Sequence, residues 1–124
     1  MTDPRLEVVR RWNQENMNPD AVRELVSPDY VAHLNGDQIH GADGWIAFAK
    51  SVGGESRDYE AGSDEVIISG DLVGERWWTQ YTAADGTSVR WRGMTLHRVS
   101  DGRLQEDWIV AEQEQQGAAE WDRS

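Results

Sequence analysis

The chain is predicted to adopt an α+β fold, with helices on one face of a curved antiparallel sheet. Three observations carry this. The first half holds three helix-start signals followed by apolar residues at three-to-four spacing. The second half holds long runs rich in Val, Trp, Thr, Leu and Ile. Those runs are divided by Ala84-Asp85-Gly86 and Ser100-Asp101-Gly102, where Asp and Gly tolerate the positive φ of a hairpin turn.

Asp3-Pro4 opens the first helix: Asp accepts from free N–H groups and Pro needs no donor at the first helical position. Leu6, Val9, Trp12 or Asn13, and Met17 then form one stripe, so the helix is expected to reach about Met17. Asn18-Pro19-Asp20 repeats the signal for a short second helix with Val22, Leu25 and Val26 on one side, stopped by Ser27-Pro28-Asp29. Tyr30 to Leu34 is a short apolar run ending in the loop signal Asn35-Gly36-Asp37, which places His33 near the mouth of whatever this run borders. A third helix is expected from Gly41-Ala42-Asp43-Gly44, capped by Asp43, with Trp45, Ile46, Phe48, Ala49 and Val52 inward and Gly53-Gly54 at its end. After a polar stretch come a strand at Asp64 to Ser69 and then a meander of three strands: 72–82, 87–99 and 103–111.

At 124 residues the chain makes one domain with one core. It has no cysteine, which removes disulfides and thiol chemistry and makes a reducing cytoplasm sufficient. No apolar run approaches a membrane span of about 20 residues, and the first residues lack an apolar signal core. Twelve basic against twenty-three acidic residues give a net charge of −11, which argues against nucleic acid and anionic lipid as partners. Seven tryptophans exceed what so small a core needs, so some are expected to line a cavity for a hydrophobic small molecule. His33, Asp37 and His40 match no established metal-ligand spacing, and no phosphate-cradling glycine run or G-x-S-x-G elbow occurs. No metal and no cofactor are therefore expected.

Three local patterns carry a family resemblance. Ser27-Pro28-Asp29-Tyr30-Val31-Ala32-His33 resembles the A-P-D-Y-x-x-H segment of the SnoaL-like polyketide cyclases, within the nuclear-transport-factor-2-like superfamily. Gly41 to Phe48 is similar to that family's G-x-x-G-x-x-x-F helix start, and His97 to Trp108 to its R-x-x-D-G-K-I-x-E-x-W hairpin. The likeness covers roughly residues 5 to 114, so residues 1–114 are expected to form the domain and 115–124 a flexible tail. It implies a cone-shaped sheet, about three N-terminal helices enclosing a deep pocket, and a homodimer.

The resemblance leaves the chemistry open, because this fold serves cyclases, isomerases, epoxide hydrolases and non-catalytic proteins. The family's acid/base aspartate follows the hairpin tryptophan as W-x-x-x-D, and here Glu112 stands at that spacing from Trp108. Plain strand alternation puts Leu104, Glu106, Trp108, Val110 and Glu112 on the expected pocket face, with Gln105, Asp107, Ile109 and Ala111 opposite. A carboxylate among Trp rings is raised towards a useful acid or base, and a neighbouring His or Arg steadies an enolate oxygen. Candidate catalytic residues are thus Glu112 and Glu106 as base, with His33 and His97 as partner or electrophile. Tyr30, Trp45, Arg76, Trp78, Trp91 and Trp108 are the candidates for holding substrate, Arg76 also as a charge stabiliser. Each has a structural alternative: Glu106 as a cross-strand ion pair, Glu112 as a solvated strand end, His33 bonded to loop backbone, His97 at an interface or in solvent. Cofactor-independent cyclisation or isomerisation of a hydrophobic carbonyl compound is the leading expectation. Epoxide hydrolysis of the limonene type is weaker because Arg76-Trp77-Trp78 and Arg90-Trp91-Arg92 lack the R-x-D aspartate; a non-catalytic binding module is the third reading.

Overall fold

The computed structural model describes residues 3–114, in which three helices pack on one face of a curved six-stranded sheet. Helix α1 spans Pro4–Glu15 and α2 spans Pro19–Leu25. Both begin as their sequence signals predict: the Asp3 carboxylate accepts from the Arg5 N–H at 2.9 Å, and the Asn18 side chain from the Asp20 N–H at 3.0 Å. α1 ends at Glu15, short of Met17, because the Asn18 N–H turns back to the Glu15 carbonyl and starts the next cap.

Strand β1 (Val26–Leu34) follows α2 without a loop, so Ser27-Pro28-Asp29 lies inside a strand where the sequence suggested a helix stop. Pairing with the last strand slips there. Val26 faces Leu104 and Val31 faces Glu106, leaving the residues around Pro28 outside the ladder, where a proline costs no hydrogen bond. Asn35 and Gly36, with φ of 48° and 93°, make a two-residue hairpin turn into β2 (Asp37–His40). Helix α3 runs Gly41–Gly53 and is not capped by Asp43. That residue falls within the first turn, where its charge favours the N-terminal dipole and meets Arg23 at 2.7 Å.

The remaining strands are β3 (Arg57–Ser69), β4 (Leu72–Thr82), β5 (Ser88–Ser100) and β6 (Arg103–Gln113). β3 begins at Arg57, well before Asp64, as an edge strand whose first residues are largely exposed. The sheet order is β2-β1-β6-β5-β4-β3, all antiparallel except the β1–β6 pair. The sheet is therefore mixed. Its core lies under the helices, around Val9, Trp12, Val22, Tyr30, Val73 and Leu104, each at most 2% exposed. Burying a side chain of this kind contributes about 1.5–3 kcal/mol. Among the described residues no helix is long and apolar enough to cross a membrane. The tail expected at 115–124 lies outside the described residues.

Candidate active site

Cross-strand register builds the helix-covered face of the sheet in rows. Val73, His97 and Asp107 stand side by side on β4, β5 and β6; Glu75, Thr95 and Ile109 form the next row, and Trp77, Gly93 and Ala111 the third. Between these rows and α1 and α3 lies a cavity of about 290 Å³. Among the described residues four tryptophans line it: Trp12 and Trp45 from the helices, Trp77 and Trp91 from the sheet. Trp77 fits because its row neighbour is glycine. A Cβ on Gly93 would collide with the Val110 carbonyl oxygen and stand 2.6 Å from the Trp77 Cζ2, so any larger residue shifts the strand or displaces the indole.

His97 lies in the cavity wall, and a chain of hydrogen bonds runs behind it. Tyr30 Oη donates to Asp107 Oδ2 at 2.6 Å, and Asp107 Oδ1 meets His97 Nδ1 at 2.6 Å. His97 Nε2 is in short contact with Glu75 Oε2. Glu75 Oε1 in turn accepts from Asn13 Nδ2 at 2.7 Å and Ser63 Oγ at 2.6 Å. The chain thus crosses from the core, where Tyr30 sits, to Asn13 on the cavity wall. The His97 side chain is 2% exposed, and those of Glu75 and Asp107 are 0% exposed. Burial by itself disfavours an imidazolium, but the Asp107 carboxylate, and then Glu75, outweigh it and push the His97 pKa up to about 10. Burial also carries the Tyr30 phenol well above its usual range, with Asp107 adding to the effect. The result is a protonated histidine at neutral pH, gripped at both ring nitrogens and set in an aromatic wall. Such a group can polarise a carbonyl or deliver a proton.

Of the residues singled out from the sequence, the fold brings His97, Trp45 and Trp91 to this cavity. Tyr30 reaches it only through Asp107. The expected pocket face of β6 is the opposite one. β5 and β6 slip register where Arg98 faces Glu106 and Val99 faces Leu104, which leaves Gln105 unpaired as a bulge. Leu104 still points inward, but beyond the bulge the parity inverts: Asp107 and Ile109 are buried, while Val110 and Glu112 are exposed. Glu112 binds Arg92 at 2.7 Å with its side chain 66% exposed. Glu106 meets His33 Nε2 at 2.6 Å, and the His33 ring stacks on Trp108 at 5.7 Å, all on the outer face. Arg76 pairs there with exposed Glu65, and Trp78 lies under the Arg90 guanidinium. His33 is not at the cavity mouth; its neighbours Leu34 and Asn35 are, because alternate residues of β1 take opposite faces. Sequence reading missed Glu75 and Asp107. An unbroken hairpin from Ser100–Arg103 would have set Glu106 beside His97, so only the bulge at Gln105 brings Asp107 there.

Comparisons with known proteins agree on the fold. IdmH, a candidate polyketide cyclase from Streptomyces antibioticus, superposes with a TM-score of 0.74 at 21% identity, over 90% of this chain and 93% of its own. A candidate SnoaL-like polyketide cyclase from Jannaschia sp. CCS1 gives 0.72 at 20% identity, over 88% and 85% of the two chains. An M. tuberculosis epoxide hydrolase like the limonene enzyme gives 0.72 at 16% identity, over 88% and 83%. A comparison with curated proteins finds no match. The family model for the SnoaL-like domain matches residues 6–107, nearly the whole described fold with its cavity and buried histidine, and the chain belongs to that family.

Proposed function

We propose that this protein is a cofactor-independent acid/base enzyme, a cyclase or isomerase, acting on a small hydrophobic carbonyl compound. The observation that carries this reading is the buried Glu75–His97–Asp107 cluster in the wall of an aromatic cavity. Two carboxylates and a histidine withdrawn from water cost several kcal/mol per ion, and an apolar row of the same volume would be at least as stable. Strongly shifted groups beside a cavity are a signature of chemistry. In this reading His97 meets the substrate. For the step to run, Glu75 leaves Nε2 and takes the proton from the carbon next to the carbonyl, and the Nε2–H so freed passes to the carbonyl oxygen of the forming enol, while Asp107 and Tyr30 hold the ring in place. Glu106, Glu112 and His33 take no part, since they lie on the other face.

Hydrogen–deuterium exchange tests the proposal. Bicyclic ketones and 1,3-diketones are incubated with protein in D₂O, and label at the carbon next to the carbonyl is followed by NMR. The expected result is exchange well above buffer with wild type and at buffer level with His97→Gln, both proteins being folded by circular dichroism. A second reading has its own support: each ring nitrogen of His97 and each oxygen of Glu75 and Asp107 already has a partner, as in a structural network. Ligands that bind without any exchange would favour that reading, a non-catalytic binding module. Epoxide hydrolysis draws on the fold likeness alone, and diol formation from a terpene-like epoxide is its measure.

The outer face supports a homodimer. Ile67, Met94 and Val110 are 74%, 63% and 71% exposed there, an apolar patch that a second copy would cover. Residence in the reducing cytoplasm fits a chain without cysteine.

A further inference from the structure

We propose that the cavity selects a ligand carrying a positively charged nitrogen, a protonated amine or quaternary ammonium, on a compact hydrophobic frame. This rests on the reading of the cavity as a ligand site and adds the charge of what enters it. The volume of about 290 Å³ equals roughly ten waters of bulk liquid, enough for a frame of about ten to fifteen non-hydrogen atoms.

Three observations set the sign. The first is the balance of charge. Among the described residues no Lys or Arg lines the cavity, whereas Asp37 does, and the one cationic side chain they place in the wall, His97, is in contact with two carboxylates, Glu75 and Asp107. Its positive charge is outnumbered at bonding distance.

The second is that six of the lining donors are already bonded within the protein. The indole N–H groups of Trp45, Trp77 and Trp91 are spent on the Asn16 carbonyl, Thr95 Oγ1 and Tyr81 Oη at 2.9, 2.8 and 3.1 Å. The amide donors of Asn13 and Asn35 go to Glu75 and to the Ala111 carbonyl, and the Tyr59 hydroxyl to the Asn13 carbonyl. These are the groups that would otherwise solvate an anion. Committed to the protein, these six groups are withdrawn from an anionic ligand, which would give up its water without gaining them.

The third is the wall itself. Trp12, Trp45, Tyr59, Trp77, Tyr81 and Trp91 surround the space, and aromatic faces carry the negative lobe of the ring quadrupole. A cation without tightly held water gains most from such a cage. The net charge of −11 steers cations towards the molecule in addition.

The test uses three probes of matched size and differing charge: phenyltrimethylammonium, tert-butylbenzene and benzenesulfonate. Each is titrated by tryptophan fluorescence and calorimetry at about 0.15 M salt, where surface charge is screened. The cation is expected to bind at least tenfold tighter than its neutral isostere, and the sulfonate to give no saturable signal. Val52→Arg, at a partly exposed position on the cavity rim, should weaken the cation at least tenfold. Asp20→Asn makes the same change in net charge on the exposed start of α2, at a residue that does not line the cavity, and should leave affinity unchanged. Equal or tighter binding of tert-butylbenzene would overturn the cation inference while keeping the cavity as a ligand site. Equal loss in Val52→Arg and Asp20→Asn would also overturn it, by assigning the preference to overall charge. No saturable binding by any probe would remove both readings.

Discussion

The two faces of the sheet each hold a histidine bonded to a carboxylate at 2.6 Å, and they differ in almost everything else. His97 with Asp107 is closed off from water under the helices. His33 with Glu106 lies on the outer face, with side chains 28% and 35% exposed. In water-screened surroundings such a pair gains little, because solvent competes for both partners. Under the helices the same bond length fixes a charge state, because no water competes for the ring and Glu75 holds its other nitrogen. The contrast teaches that environment, more than spacing or residue type, separates a buried charged cluster from a surface contact.

The sharpest way to break this comparison is to remove one carboxylate from each pair. Asp107→Ala strands His97 and the Tyr30 hydroxyl in the core and is expected to cost about 3–5 kcal/mol in urea denaturation. Glu106→Ala, on the outer pair, should cost under about 1 kcal/mol. Similar losses for the two would refute the assignment of roles to the faces.

Two glycines extend the comparison to packing. Gly93→Ala on the inner face drives a methyl against the Val110 backbone carbonyl and into Trp77, which is held by Thr95, and should cost about 1–3 kcal/mol or more and reduce ligand quenching. Gly62→Ala brings its Cβ within 2.9 Å of Trp78 Nε1, but that indole lies on the outer face and can shift, so a smaller loss and unchanged quenching are expected.

Stability should also respond to pH through the inner pair. The folded-state pKa of His97, about 10, lies above its ordinary value of 6.5. Its contribution is therefore complete below about pH 6.5 and lost as pH rises through about 10. The melting temperature of wild type should fall between pH 7 and 10, and this slope should flatten in His97→Gln. A wild-type curve level over that window would contradict the charged state. The smallest effect is expected from Val110→Lys: within about 0.5 kcal/mol for fold stability, with its consequence confined to sedimentation of the proposed dimer.

Much of the fold was legible in the sequence because it is written in local chemistry. Asp3-Pro4 and Asn18-Pro19 cap helices, and Asp101-Gly102, with φ of 55° and 72°, closes the hairpin its residues predict. The first half of β3 was not legible, since Arg57 to Gly62 is a polar edge segment without apolar alternation. β2 hid behind a turn whose second strand is four residues long. The site was half legible. His97 and the cavity tryptophans Trp45 and Trp91 were among the candidates, but Glu75 lies twenty-two residues from His97 and meets it only through strand register. The face of β6 was misread for one reason: a single unpaired residue, Gln105, inverts the alternation that the rest of the strand obeys.

The most direct test of the central claim, a charged histidine built into the cavity wall, is the ¹⁵N NMR spectrum of the His97 ring at pH 8, assigned by its loss in His97→Gln. Both nitrogens are predicted to carry protons, with the imidazolium shifts persisting until the pH approaches about 10. A spectrum with one unprotonated ring nitrogen at pH 8 would mean that the buried cluster is neutral at its centre, and the acid assigned to His97 would be wrong.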